Sequence, residues 1–179
     1  MPAVIHIRPA DYEDLPMLLA WRNHPSIRNF MFTTHEIDAR EHYEWFERIS
    51  KDSSHQVLIA QNDGVPFGQV QFSPVTDDGV AQWGFYVRPN APKGSGRQLG
   101  VIALLYAFNH LRLYKVCGQA IAGNEASIGL HKSLGFTQEK IPTLQKKILG
   151  LSQPFHKFGL LRNDWQRMNV IGEDIDFRN

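Results

Sequence analysis

The run Gln82-Trp83-Gly84-Phe85-Tyr86-Val87-Arg88-Pro89-Asn90-Ala91-Pro92-Lys93-Gly94-Ser95-Gly96-Arg97 decides how this chain folds. Its first part is rich in aromatic and β-branched residues and reads as the end of a strand from Val80 to Arg88, closed by Pro89, which cannot donate to a ladder. Its second part is rich in glycine and proline. Beyond it, Leu99 to Leu111 is apolar on nearly every side over a helical length, which predicts a helix buried against a sheet. A strand, a glycine loop and a helix in that order bring backbone N–H groups and the positive end of a helix macrodipole to an anion. Lys93, Gly94, Ser95, Gly96 and Arg97 are therefore candidate pyrophosphate-binding residues, although a Gly-Ser-Gly run also serves as a flexible turn. The spacing matches neither the Walker pattern nor the three-glycine dinucleotide fingerprint.

Working outward, Val4 to Arg8 reads as a half-buried strand ended by Pro9. Val57 to Ala60 ends at the hairpin signal Asn62-Asp63-Gly64, and Phe67 to Phe72 is its antiparallel partner. The turn Asp77-Asp78-Gly79 then leads into Val80. Asp11 is placed to cap a helix with Leu15, Leu18 and Leu19 on one face, which stops at Asn23-His24-Pro25. Thr34 or His35 leads into a second helix carrying Ile37, Tyr43, Phe46 and Ile49. After the opening run, Val116 to Ile121 is a strand, and Asn124 to Ser133 is a short helix ended by Gly135 in a left-handed cap. Strands near Lys146 to Leu149 and His156 to Leu161 finish the sheet. The expected architecture is one α/β (α+β) domain over residues 1–171, with a single mixed, mostly antiparallel sheet and helices on both faces, then a loose tail over 172–179.

Composition limits the chemistry. Among 179 residues, Lys+Arg 19 against Asp+Glu 18 leaves a net charge of +1, so no basic field favours nucleic acid or an anionic membrane. No apolar window reaches the ~20 residues a membrane span requires. Cys117, the single cysteine, reads as a buried strand thiol in a reducing compartment, and the cytoplasm is the expected location. The histidines are scattered, and no metal site is expected.

The opening run, followed in order by Asn124-Glu125-Ala126-Ser127, Leu134-Gly135-Phe136 and the closing Phe158-Gly159-Leu160-Leu161-Arg162-Asn163-Asp164-Trp165, resembles the GNAT family of N-acetyltransferases over almost the whole chain. The resemblance implies acetyl-CoA as cosubstrate and a sheet splayed between its fourth and fifth strands, here Val80 to Arg88 and Val116 to Ile121. It implies that Tyr86, Val87, Lys93, Gly94, Ser95, Gly96, Arg97, Asn124, Ser127 and His131 surround the cofactor. The N–H near Val87 would hold the thioester oxygen and steady the developing oxyanion. Ala91 stands where the family often has Gln or Arg.

Two departures concern proton transfer. His131 occupies the place of the family's usual Tyr acid; an imidazolium can donate to the leaving thiolate, and a helix histidine that caps or lines the cleft is the alternative. Gln82 occupies the place where relatives often carry a Glu base, and it cannot accept a proton. A water relay, His42 or an amine already deprotonated remain as ways to a neutral nucleophile.

Trp21-Arg22-Asn23-His24-Pro25 gathers a cation, an amide and an imidazole at a helix end, suited to phosphate or simply to the negative end of the helix dipole. It resembles the branch of the family that acetylates the 4-amino group of UDP-4-amino-4,6-dideoxy-N-acetyl-β-L-altrosamine on the way to pseudaminic acid, a flagellin sugar. On that resemblance Arg22 and His42 approach the nucleotide, Gln71, Ser73 and Tyr86 line the sugar site, and Pro74 stands where a relative carries a cation. Acetylation of a protein N-terminus or another small amine, and a CoA-binding module without catalysis, are the other readings. The sequence leaves monomer and homodimer open.

Overall fold

The computed structural model describes residues 4–140, 147–148, 151–152 and 154–168; the expected tail over 172–179 lies outside them. Strand β1 (Ile5–Pro9) leads to Asp11, which accepts the Glu13 N–H while Asp14 accepts the Asp11 N–H. This reciprocal capping starts a 3-10 turn over Tyr12–Asp14, and helix α1 (Leu15–Asn23) continues from it with Leu15 and Leu18 buried. α2 (Pro25–Arg28) is a single turn capped by the His24 side chain. α3 (Ala39–Ser50) begins later than the sequence predicts: Asp38 accepts the Glu41 N–H at 2.8 Å, so Asp38 is the cap and Ile37 stays in the preceding loop.

β2 (Gln56–Asn62), β3 (Val65–Val75) and β4 (Val80–Val87) follow as antiparallel neighbours. The first hairpin turns on Asp63 and Gly64, both at positive φ, as the Asp-Gly pair predicts. The helix expected from Leu99 to Leu111 starts earlier, as α4 (Ser95–Leu105), and widens into a π-helical turn over Tyr106–His110. Then come β5 (Lys115–Ile121), α5 (Glu125–Ser133), β6 (Thr137–Glu139), β7 (Lys147–Ile148), β8 (Leu151–Ser152), β9 (Phe155–Leu161) and α6 (Arg162–Met168).

The main sheet has seven strands in the order β1-β2-β3-β4-β5-β9-β6, and β4 with β5 is its parallel pair. The mixed, mostly antiparallel sheet is as expected, but its last members are not. β7 pairs with β8 in a separate two-stranded ladder, while β6, too short to show a period in sequence, forms the edge.

α4 closes one face of this sheet. Leu58, Val70 and Phe72 share an apolar cluster with Leu99, Ile102 and Ala103, and each fully buried side chain of this size contributes about 1.5–3 kcal/mol. Gly68 lets the helix approach, because a methyl there would stand 2.7 Å from Leu99 Cδ2. A smaller cluster of Leu15, Phe46 and Ile49, with Trp45 and Val57 against it, joins α1 and α3. Among the described residues no helix is long and apolar enough to cross a membrane.

Candidate active site

β4 and β5 run together for only a short distance, through Val80↔Lys115, Ala81↔Val116 and Gln82↔Cys117. Beyond that point β4 stays with β3, as in Gly68↔Val87, and β5 stays with β9, as in Ile121↔Phe155, so the sheet parts between them. The Arg88 N–H donates to Phe67 O at 2.8 Å on the β3 side. Successive N–H groups of a paired strand point to opposite sides, which turns the Val87 N–H into the parting. A cleft of about 1050 Å³ occupies this space.

The glycine loop forms one end of the cleft. Gly94 has φ 94°, a left-handed conformation that admits glycine readily, and it caps α4 without a side chain; the Ser95 N–H turns back to Pro92 O at 3.1 Å, which leaves the Gly96 and Arg97 N–H groups for a ligand. Gly94, Gly96 and Arg97 line the cleft. Lys93 and Ser95 do not line it: Lys93 is exposed, and Ser95 is buried with its hydroxyl donating to Pro92 O at 2.8 Å, bracing the loop. Arg97 also donates to Ser133 O at 3.2 Å, tying the loop to the end of α5. Across the cleft Asn124 caps α5 by accepting the Ser127 N–H at 3.2 Å, and both residues line the opening.

Gln71, Ser73, Gln82, Tyr86 and Val87 also line the cleft. Gln71 packs beside Gly84, its side-chain amide 3.6 Å from where a methyl on Gly84 would stand, an ordinary contact distance. Arg22 and His42, expected at the acceptor, are not among the residues that line the cleft. Arg22 donates through Nη2 to Thr33 O at 3.0 Å, while its Nη1 is buried without a hydrogen-bond partner. Burial lowers the proton affinity of Arg22 and the nearby Tyr86 opposes this; burial raises the Tyr86 phenol and Arg22 opposes that in turn. His42 is held below the ordinary histidine range by burial and then by the Arg22 charge, and it stacks on Trp45. The Asn23 amide expected beside a phosphate is committed instead to Ile37, accepting its N–H at 2.9 Å and donating to its carbonyl at 2.7 Å.

His131 is 1 % exposed and is not among the residues lining the cleft. Its Nε2 accepts the Trp83 indole N–H at 3.0 Å and its Nδ1 donates to Ser127 O at 2.7 Å. Burial pushes its pKa down, with the Ser127 carbonyl opposing. Both ring nitrogens are thus engaged within the fold, Nε2 as an acceptor and Nδ1 as a donor.

Residues 5–137 match the acetyltransferase (GNAT) domain. The chain belongs to the GNAT acetyltransferase family. It is 29% identical over 125 residues to acetyltransferase PseH of Campylobacter jejuni, a match covering 70% of this chain and 78% of that one. Among solved structures, PseH of Campylobacter jejuni superposes with a TM-score of 0.68 at 20% identity, covering 88% of this chain and 98% of that one. Spermidine N-acetyltransferase from Vibrio cholerae, in complex with CoA and spermine, superposes with a TM-score of 0.80 at 20% identity over 90% of this chain and 97% of that one. The fold and the family make this protein an N-acetyltransferase.

Of the cleft residues of this GNAT enzyme, Phe30, Phe32 and Arg88 were not legible in the sequence. Phe30, Met31 and Phe32 form a wall from the loop between α2 and α3, and Phe32 meets Phe155 of β9 edge-on at 6.2 Å. The signal was an apolar run with neither helical nor strand period. Arg88 also lines the cleft, with its Nε buried and without a partner. Arg88, Arg97 and Glu125 are the charged side chains of the lining among the described residues, where no group of His, Cys, Asp or Glu is gathered as a metal site.

Proposed function

We propose that this GNAT enzyme transfers the acetyl group of acetyl-CoA to the 4-amino group of a UDP-linked aminodideoxy sugar, UDP-4-amino-4,6-dideoxy-N-acetyl-β-L-altrosamine or a near relative, on the way to a nonulosonic acid. The observation that carries this reading is the buried, unpartnered Nη1 of Arg22, whose charge interacts with the cleft residue Tyr86. Leaving a buried donor unmade costs about 1–3 kcal/mol, and a diphosphate oxygen is the acceptor a guanidinium suits best. The likeness to PseH supports the same acceptor class. A polyamine, the kind of amine bound by the Vibrio neighbour, fits less well, because Glu125 is the single carboxylate of the lining among the described residues.

Acetyl-CoA supplies an activated thioester, and the chain's own features fit it. The unpaired edge of β4 beyond Gln82 can take a pantetheine arm as an added strand. The uncapped start of α4 at Gly94 suits a pyrophosphate, with Gly96 and Arg97 beside it. The Val87 N–H faces the parting, where it stabilises charge developing on the thioester oxygen. The amine nitrogen forms its bond to the acetyl carbon as the carbon–sulfur bond breaks, the electron pair leaves on sulfur, and the amine gives up a proton. Gln82 lines the cleft but has no basic atom, so that proton leaves through water or to His42, which burial and Arg22 keep neutral.

Incubation with acetyl-CoA and the sugar nucleotide should release free thiol and add one acetyl mass to the sugar, with spermidine and N-terminal peptides as parallel acceptors. No turnover of the sugar nucleotide rejects the substrate. Arg22→Ala should raise the sugar-nucleotide KM more than the acetyl-CoA KM; an equal rise in both removes Arg22 from the acceptor site.

A further inference from the structure

The last registered pair between β4 and β5 is Gln82↔Cys117. Trp83 and Gly118 follow it on the two strands, where one more pair would continue the ladder. Over this step, on the face of the sheet, lies a side-chain hydrogen bond. Trp83 Nε1 donates to His131 Nε2 at 3.0 Å, and the bond lies over Gly118: a methyl on Gly118 would come within 2.7 Å of Trp83 Nε1 and overlap His131 Nε2.

The imidazole is oriented from its other end. Nδ1 donates to Ser127 O at 2.7 Å, one turn back on α5, which leaves Nε2 as the acceptor for the indole. Aromatic rings fix its plane, since His131 stacks on Phe158 at 4.6 Å and meets Phe136 edge-on at 5.0 Å. Trp83 is held in turn against Phe136 at 5.0 Å and Phe85 at 4.7 Å. A polar ring so deep in an aromatic cluster is tolerable only because both nitrogens are satisfied. Trp83 and Ser127 line the cleft and His131 does not, so the histidine touches the site through its two partners.

We propose that His131 is a positioning residue: by holding the Trp83 indole over Gly118, it fixes where β4 leaves β5 and so sets the slot that receives the pantetheine arm. This rests on acetyl-CoA being the acetyl donor. On this view the bond pins β4 at its last paired step, in the space over Gly118 that a side chain on β5 would fill. The departing sulfur takes its proton from water.

Calorimetric titration of the full chain with acetyl-CoA tests this without any acceptor. His131→Phe and Trp83→Phe each delete the hydrogen bond and should weaken acetyl-CoA binding about tenfold, the scale of one buried hydrogen bond. The double variant should bind no more weakly than either single one, because both remove the same contact. His131→Gln supplies an amide oxygen for the indole N–H and no titrating proton, and it should restore the affinity to within about threefold of wild type, well inside that loss. Unchanged binding in the Phe variants, additive losses or no rescue by Gln overturns the proposal. If His131→Phe fails to fold, Trp83→Phe and His131→Gln still give opposite expectations. An acid role predicts a different pattern, in which His131→Gln binds acetyl-CoA normally but loses about 10²–10⁴ in kcat. That outcome also overturns the proposal. Absence of turnover with the sugar nucleotide sinks the acceptor assignment and leaves the binding measurements standing.

Discussion

Asn23 grips Ile37 by both of its backbone groups, donating from Nδ2 to the carbonyl at 2.7 Å and accepting the N–H at 2.9 Å. Arg22 adds a tie to Thr33 O at 3.0 Å, so the end of α1 holds the loop that carries Phe30, Met31 and Phe32 into the cleft. Asn23→Ala removes both bonds at a partly buried site and should cost about 1–3 kcal/mol of stability. Because the loop lines the cleft and carries none of the residues read as cofactor-binding, the acceptor KM should rise about tenfold while acetyl-CoA affinity holds. Urea unfolding and steady-state kinetics with each substrate varied give both values; a matching loss of acetyl-CoA affinity would show that the loop shapes the whole cleft.

Gly94 separates backbone strain from crowding. Its φ is 94°, and a methyl group there meets nothing within 4 Å, so Gly94→Ala pays only for the left-handed backbone. That cost is about 1–2 kcal/mol. If the chain relieves the strain by moving the loop, the N–H groups at the start of α4 turn away from the cleft and acetyl-CoA binding weakens as well. Thermal unfolding with and without acetyl-CoA measures the two effects; stability unchanged from wild type would mean that the loop is not held at this φ.

The glycine loop and the two ends of α5 were legible because their signals are local. Gly94 at a strand-to-helix junction, Asn124 before a helix and Gly135 after one each state their role within a few residues, and the structure has Gly94 at φ 94° and Gly135 at φ 92°. The place of α3 was misread for an equally local reason: Ile37 extends the apolar period, but Asp38 is the better cap and its side chain decides the start. His131 could not be read this way. Its partner Trp83 is far away in the chain, and no pattern in either segment announces a bond that forms only once α5 lies over β5. Arg22 was visible as a cation at a helix end, but the burial that leaves its Nη1 without a partner is a tertiary property.

Arg8 and Asp14 form a two-pronged pair, with Nη1 to Oδ2 and Nη2 to Oδ1 both at 2.8 Å, and Asp14 also accepts the Asp11 N–H at 2.9 Å. The pair fastens β1 to the start of α1. Burial alone would raise the Asp14 pKa, yet its bonds to Arg8 and Asp11 hold it below the usual carboxylate range. Asp14→Ala leaves the guanidinium and the Asp11 N–H without this partner and should cost on the order of 2 kcal/mol. Arg8→Ala should cost less, because Asp14 keeps the Asp11 N–H. Chemical denaturation of the two variants gives the order, and a larger loss in Arg8→Ala would mean that the capping bond contributes little.

Both His131 and His42 are pushed below the ordinary histidine value, His131 by burial against the opposing Ser127 carbonyl, His42 by burial and then by Arg22. The unfolded chain therefore takes up protons near pH ~6.5 that the folded chain refuses. The contribution of these neutral rings is complete above the unfolded value. It is lost as pH falls through that value toward the lowered folded one, at up to about 1.4 kcal/mol per pH unit for each histidine. The urea midpoint should thus be clearly lower at pH 5.5 than at pH 7.5, two conditions chosen about one unit either side of the free value. Asp14 does not confuse this window, because a lowered carboxyl loses its contribution only below about pH 3.9. His131→Gln keeps an acceptor for Trp83 and removes one titrating ring, so its stability should fall about half as steeply over the same interval. A slope identical to that of wild type would mean that His131 takes up its proton equally well in the folded state, against the closed geometry of its two hydrogen bonds.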